Sequence, residues 1–191
     1  MMTENEILQV MEGTGALLSG HFELRSKLHS DRFFQCANVL RYPRVAERLC
    51  AELVRRMRVA GGCGQVDGVV SPALGGILVG HEVARALDVP CLFAEKENGL
   101  LVMRRFTLTP GARYVIAEDV ITRGGRVQES IDIVEKAGAA VAAVLVLVDR
   151  SGGTVAFNHP FFSLLNLTPK IWEPAECPLC AAGSKPVHPG S

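Results

Sequence analysis

The spacing of hydrophobic and polar positions changes several times along the chain. Near the start, Ile7, Val10 and Met11 recur at helical spacing, and Gly13 and Gly15 stop the pattern. The next stretch, HFELRSKLHSDRFFQCANVL, alternates polar and apolar residues in places, with turn formers around His29 to Asp31. It predicts a pair of short strands. PRVAERLCAELVRRM predicts a helix. Pro43 suits its first turn, and Val45, Leu49, Leu53 and Met57 form a stripe flanked by Ala46, Cys50 and Val54. Arg55, Arg56 and Arg58 fall in its last turns, where cations favour the helix dipole.

Beyond AGGCG a regular rhythm begins. VDGVVS, PCLFAE, RYVIAE and VAAVLVLVD are continuous apolar runs of strand length, and GGILVGHEVARAL and GGRVQESIDIVEKAG are amphipathic and open on glycines. Such strands between such helices predict an α/β fold with a parallel sheet covered on both faces. Residues 95–110 break the rhythm: they are charged, contain Gly99, and carry Lys96, Arg104 and Arg105. A polar excursion of this length in an α/β domain predicts a mobile functional loop. After Arg150 come SGG, a further strand near PFFSLLNL, and a tail containing proline, glycine and cysteine. Neither internal repeats nor low-complexity segments stand out.

Composition narrows the class. The chain has 191 residues, 48% hydrophobic and 21% charged, which suits one globular domain. A formal net charge of zero argues against a nucleic-acid binder or a cationic membrane-surface protein. No apolar run approaches the roughly 18 residues of a membrane span, and MMTENEILQV lacks a basic export signal, so a cytoplasmic protein is expected. Of the six cysteines, Cys36, Cys50, Cys63 and Cys91 lie among apolar segments as small hydrophobes. Cys177 and Cys180, in CPLC, have zinc-knuckle spacing but supply only two ligands; a second chain or His188 would have to add the rest. His21, His29, His81 and His159 show no ligand-like spacing, so an inert tail and no metal held by side chains are expected.

The chemistry concentrates in YVIAEDVITRGGRV. An apolar strand ends on two adjacent acids, Glu118 and Asp119, and a threonine and two glycines then open a helix. Ligands of open parallel sheets bind beyond the carboxyl ends of the strands. The glycines let main-chain N–H groups converge at a helix N-terminus, which makes a phosphate cradle. Acids repel phosphate, but they accept hydrogen bonds from neighbouring sugar hydroxyls. One loop would therefore grip a ribose and its 5′-phosphate together. The loop lacks the Gly-Lys-Ser/Thr of a Walker loop and the G-x-G-x-x-G of a dinucleotide site.

VIAEDVITRGG resembles the phosphoribosyl pyrophosphate (PRPP) motif of type I phosphoribosyltransferases. GHFELRSKLHSDRFF, VVSPALGGILVG, FAEKENG followed by MRRF, and VLVDRSGG are similar to orotate phosphoribosyltransferases, in family order, over about residues 20–155, with a tail like that of a short bacterial branch. The resemblance implies a parallel sheet flanked by helices with a small N-terminal hood: residues 1–42 for the helix and hood, 43–170 for the core with a flexible loop at 95–109, and 171–191 for the tail. It also implies transfer of the phosphoribosyl group of PRPP to orotate, with Mg²⁺ on the pyrophosphate, in a homodimer whose 95–109 loop covers the neighbouring site.

By the same resemblance, Glu118 and Asp119 hold the ribose hydroxyls, and Val120, Ile121, Thr122, Arg123, Gly124, Gly125 and Arg126 surround the 5′-phosphate. Leu74 and Gly75 belong to a pyrophosphate loop in which many relatives carry a lysine where this chain has Gly75. Arg25 stands where many relatives have a lysine facing PRPP. Lys96 is the best acid candidate of the catalytic loop, with Arg104 and Arg105 as its other cations, since arginine clamps anions but is a poor proton donor. Arg150 and Thr122 would contact orotate, and Phe33 and Phe34 would close over its ring. A purine or xanthine phosphoribosyltransferase and a PRPP-sensing regulator remain alternatives on the same fold. The first needs a different hood; regulators usually add a DNA-binding region or basic face.

Overall fold

The computed structural model describes residues 1–24, 26–61 and 64–189. Helix α1 (Glu4–Gly13) opens on a capping box: Thr3 Oγ1 accepts the Glu6 N–H at 3.2 Å and the Glu6 carboxylate accepts the Thr3 N–H at 2.7 Å. It buries Ile7 and Met11. Strands β1 (Leu17–Glu23) and β2 (His29–Phe34) then pair antiparallel. Their turn lies earlier than the sequence suggests. The Leu24 N–H bonds the Leu28 carbonyl at 2.8 Å and Lys27 takes the left-handed conformation, so His29 to Asp31 already belong to β2. Asp31 serves another purpose, accepting the Lys170 N–H at 3.0 Å.

After a short α2 (Ala37–Leu40), α3 (Pro43–Val59) forms as its pattern predicts, with Ala46, Leu49, Cys50, Leu53, Val54 and Met57 all buried. Glu52 is buried among them. Arg55 grips it through two hydrogen bonds of 2.8 and 2.7 Å, and this pairing holds its pKa down at about 2. Arg56 also reaches the Ser163 and Leu164 carbonyls, both at 3.0 Å. Arg56 thus staples the helix to the sheet, beyond any effect on its dipole.

The main sheet contains β3 (Gly68–Pro72), β4 (Cys91–Glu97), β5 (Leu100–Val102), β6 (Arg113–Ile121), β7 (Ala140–Asp149) and β8 (Phe161–Asn166), in the order β5-β4-β3-β6-β7-β8. All neighbours are parallel except β4 and β5. Helices α1, α3 and α4 (Gly75–Leu87) cover one face and α5 (Gly125–Lys136) the other. In β7, Ala143, Leu145 and Leu147 point to the first layer and Val144 and Val146 to the second. This is the expected α/β sheet with both faces buried.

Part of the segment 95–109, expected as a mobile functional loop, forms regular strands. β4 and β5 form a hairpin pairing Lys96 with Leu101, closed by Asn98 and Gly99 at φ 49° and 91°. Asn-Gly is a strong hairpin signal because both residues tolerate positive φ, so the turn was legible in the sequence. The tail departs more. β9 (Ile171–Trp172) joins β2 at one edge of the hood sheet, and the tail returns through α6 (Pro178–Ala181) to the other edge, where Val187 exchanges hydrogen bonds with His21 and Glu23 at 2.8 and 2.9 Å. Far from being inert, it completes the hood. Among the described residues no helix is long and apolar enough to cross a membrane.

Candidate active site

Strand β6 carries Glu118 and Asp119 to the carboxyl edge of the sheet. Asp119 accepts the Val120 N–H through Oδ1 at 2.8 Å, and Glu118 Oε1 accepts the Asp119 N–H at 3.0 Å. Glu118 is buried and Asp119 half-buried. Burial first, and the neighbouring Asp119 carboxylate second, push the Glu118 pKa up to about 9. In the free chain at neutral pH the pair therefore holds a proton.

This has a measurable consequence. The pKa of Glu118 in the folded chain lies above the ordinary value of 4.5, so the folded chain retains a proton that the unfolded chain releases. Stability from this group is complete below about pH 4.5 and drains away as pH rises towards about 9, by at most about 1.4 kcal/mol per pH unit. Glu118→Gln is expected to flatten that decline and to be more stable than the parent at the alkaline end. Denaturant unfolding across the window checks it, and identical slopes for the two proteins would refute it.

The turn between β3 and α4 faces the acids. Its Ala73–Leu74 peptide is cis, and the Leu74 side chain is 83% exposed. A Cβ on Gly75 would stand 2.6 Å from Asp119 Oδ2, and one on Gly76 2.8 Å from Glu118 Oε1. These glycines bring the turn directly against the acid pair, with only the ends of the Asp119 and Glu118 side chains in the way at the closest contacts.

On the other side, Thr122 to Arg126 wrap the start of α5. Gly124 has φ 70°, and a Cβ there would meet Val155 Cγ1 at 2.8 Å. No side chain caps this helix, so its first N–H groups remain available to a ligand. The loop borders a concavity of about 240 Å³ together with Glu118 and Val120. Thr122, Arg123 and Arg126 are exposed, and Arg126 reaches back to the Ala73 carbonyl at 3.5 Å, spanning both loops. Ile121 is buried; its carbonyl accepts the Arg150 N–H at 2.9 Å.

A second cavity, about 790 Å³, opens between the hood and the ends of β6 and β7. Phe33, Phe34, Thr122, Arg123 and Arg150 line it. The Arg150 guanidinium lies 4.8 Å from the Phe34 ring centroid. Its Nε is buried without a partner among the described residues, and burial lowers the arginine's pKa. A flat anion would satisfy this group. Neighbouring strand residues face opposite ways, and accordingly Phe34 joins the main core while Phe33 packs on Phe22 at 5.9 Å. Ile171, His188 and Pro189 of the tail complete the wall, a contribution that no sequence signal announces.

Lys96, Arg104 and Arg105 line neither of these two cavities in their own chain; Arg105 borders a separate one of about 740 Å³ beside Phe106 and Tyr114. Lys96 is exposed, Arg104 lies 3.8 Å from Glu97, and Arg105 pairs with Glu95 at 2.9 Å. Their hairpin is tied to α5 through the Leu101 N–H and the Glu129 carboxylate, at 3.1 Å. Arg25 lies outside the described residues. His21, His29, Cys177 and Cys180, for which no ligand-like spacing is evident along the chain, bring their ligand atoms within 4.8 Å of one another. Spacing along a chain cannot reveal a meeting between residues so far apart in it.

Residues 42–181 match the family model described as the phosphoribosyl transferase domain. Over its full length the chain is 48% identical to the orotate phosphoribosyltransferase of Heliobacterium modesticaldum, covering 99% of that protein. It is equally similar, at 48%, to the enzyme of that name from Chlorobium phaeobacteroides, covering 97% of it. Among solved structures, that of orotate phosphoribosyltransferase from Aeropyrum pernix superimposes with a TM-score of 0.69 at 25% identity, over 84% of this chain and 93% of that one. An adenine phosphoribosyltransferase from Thermoanaerobacter pseudethanolicus shares the fold, with a TM-score of 0.61 at 20% identity over 71% of this chain and 88% of its own.

Proposed function

The chain belongs to the orotate phosphoribosyltransferase family, and from that premise we infer that it transfers the phosphoribosyl group of PRPP to orotate, giving orotidine 5′-monophosphate and pyrophosphate in pyrimidine biosynthesis. The observation that carries this reading to named residues is the placement of the acid pair between two main-chain cradles. Asp119 accepts hydrogen bonds from the ribose hydroxyls, and Glu118, holding a proton, both donates and accepts. Thr122 to Arg126 take the 5′-phosphate on main-chain N–H groups. The turn at Leu74 and Gly75 faces the pyrophosphate. Arg150 forks onto orotate with the hood aromatics beside the ring.

In the reaction the sugar C1–O bond breaks with both electrons leaving on pyrophosphate. A ring nitrogen of orotate forms the new C1–N bond and loses its proton. Positive charge develops on the sugar between these events, and the Asp119 carboxylate, beside the protonated Glu118, favours that charge. The space left by Gly75 beside the Asp119 carboxylate offers hard oxygen donors that suit Mg²⁺ carried by the sugar's pyrophosphate. Bound there, Mg²⁺ would neutralise the departing pyrophosphate oxygens.

Lys96, Arg104 and Arg105 act on a second copy of the chain: the hairpin of one protomer reaches the neighbouring site in a homodimer. Its exposed cations and Leu100, 65% exposed, favour that assignment. The reaction runs in the cytoplasm, a reading that the unpaired state of Cys36, Cys50, Cys91, Cys177 and Cys180 supports.

The test is loss of orotate absorbance on mixing with PRPP and Mg²⁺, beside adenine, hypoxanthine and xanthine. Orotate should be consumed at least about 10²-fold faster than any purine. Preferential purine consumption would overturn the substrate. Binding of PRPP with no turnover of any base would mark a sensor instead.

A further inference from the structure

Strand β1 supplies His21, strand β2 His29, and the tail Cys177 and Cys180. All four are buried or half-buried. His21 Nε2 lies 3.1 Å from His29 Nδ1, 3.4 Å from Cys177 Sγ and 3.8 Å from Cys180 Sγ; His29 Nδ1 lies 3.3 Å from Cys180 Sγ. As plain hydrogen bonding this arrangement is poor. The single site on His21 Nε2 can serve one partner, yet three heteroatoms crowd it. Ligand atoms gathered around a common centre look like this. For a tetrahedral Zn²⁺ with ordinary bond lengths, about 2.05 Å to nitrogen and 2.3 Å to sulfur, the edges come to about 3.3 Å for N–N and about 3.5 Å for N–S. The four separations given fit those edges within about half an ångström, and every pair lies within 4.8 Å.

We propose that His21 Nε2, His29 Nδ1 and the thiolates of Cys177 and Cys180 bind one structural Zn²⁺ that locks the C-terminal tail onto the hood. Two sulfurs and two imidazoles favour zinc over Mg²⁺, which demands oxygen ligands. Binding displaces the two thiol protons to solvent and leaves both imidazoles neutral. Four protein ligands close the coordination sphere, so the ion holds structure and leaves no position for substrate. The proton of His21 then sits on Nδ1, which is buried and has no partner among the described residues. His188, the other histidine near this part of the tail, takes no part: its Nδ1 contacts the Glu23 carbonyl at 3.0 Å.

The location gives the ion its consequence. The tail runs along both edges of the hood sheet and lends Ile171, His188 and Pro189 to the wall of the larger cavity. Two residue pairs at β9, the bonds of Lys170 and those of Val187 are short, local ties along this tail. Zinc between the strands and the tail would hold that wall in place in the absence of any substrate.

Full-length chain purified without chelators should contain about one zinc per chain, and Cys177→Ser and Cys180→Ser should each reduce this towards background. The metal-stripped wild-type chain, titrated with Co²⁺, should show the intense visible bands of tetrahedral cobalt and near-ultraviolet thiolate-to-cobalt charge transfer. This readout does not require either variant to fold. Stripping should also expose the tail to limited proteolysis, reversed by Zn²⁺ and not by Mg²⁺. Background zinc in the wild-type chain together with a cobalt spectrum lacking thiolate bands would overturn the proposal. Undiminished zinc in a chain carrying both Cys177→Ser and Cys180→Ser would do the same.

Discussion

Asp119→Asn is expected to lower kcat/KM for phosphoribosyl transfer by about 10²- to 10³-fold while leaving the thermal midpoint nearly unchanged. The two effects separate because the substitution keeps the shape of the side chain. Asp119 Oδ1 accepts the Val120 N–H at 2.8 Å, and an amide oxygen can do the same. Its other oxygen points at the Gly75 turn, where a built Cβ would stand only 2.6 Å away, so little else of the protein leans on it. The reacting sugar, in contrast, loses a full negative charge near its developing positive one, worth about 3–4 kcal/mol in a site shielded from water. Steady-state kinetics beside thermal melts decide the matter. A loss of stability in proportion to the loss of activity would make Asp119 a structural residue.

Arg150→Ala should raise KM for orotate by about 10- to 100-fold and change that for PRPP little, as expected when a charged hydrogen-bonding group worth roughly 1.5–3 kcal/mol is removed. The guanidinium faces the larger cavity from above Phe34, and its Nε has no protein partner to satisfy among the described residues. Arg150→Lys separates charge from shape. Lysine keeps the cation but lacks the planar fork, so it should recover only a small part of the orotate affinity. Equal losses for orotate and PRPP, or full recovery with lysine, would contradict the assignment. The Phe34 contact is lost in the alanine variant as well, and a melt of both variants shows how much that packing matters.

Much of the fold was legible because burial imposes simple periods. The stripe of Leu49, Leu53 and Met57 could only be an amphipathic helix, and runs such as VAAVLVLVD only strands covered on both faces. The acid pair and the glycines after it were legible for a related reason: a phosphate cradle at a strand end is local, built within about ten residues of continuous chain. The turn of the hood was misplaced because Lys27 takes a left-handed conformation that its residue type does not advertise.

What sequence alone determined, then, were features whose partners are near neighbours in the chain: the main helices and strands and the anion loop. Only the tertiary structure decided which distant groups meet. It set Gly75 against Asp119, aimed Arg150 across Phe34 into the larger cavity, and gathered two histidines of the hood with two cysteines more than a hundred residues away. The physical reason is that local pattern reflects the burial of each segment separately. Long-range contact depends on how whole layers pack, and in this chain on a tail that folds back over both edges of a three-stranded sheet.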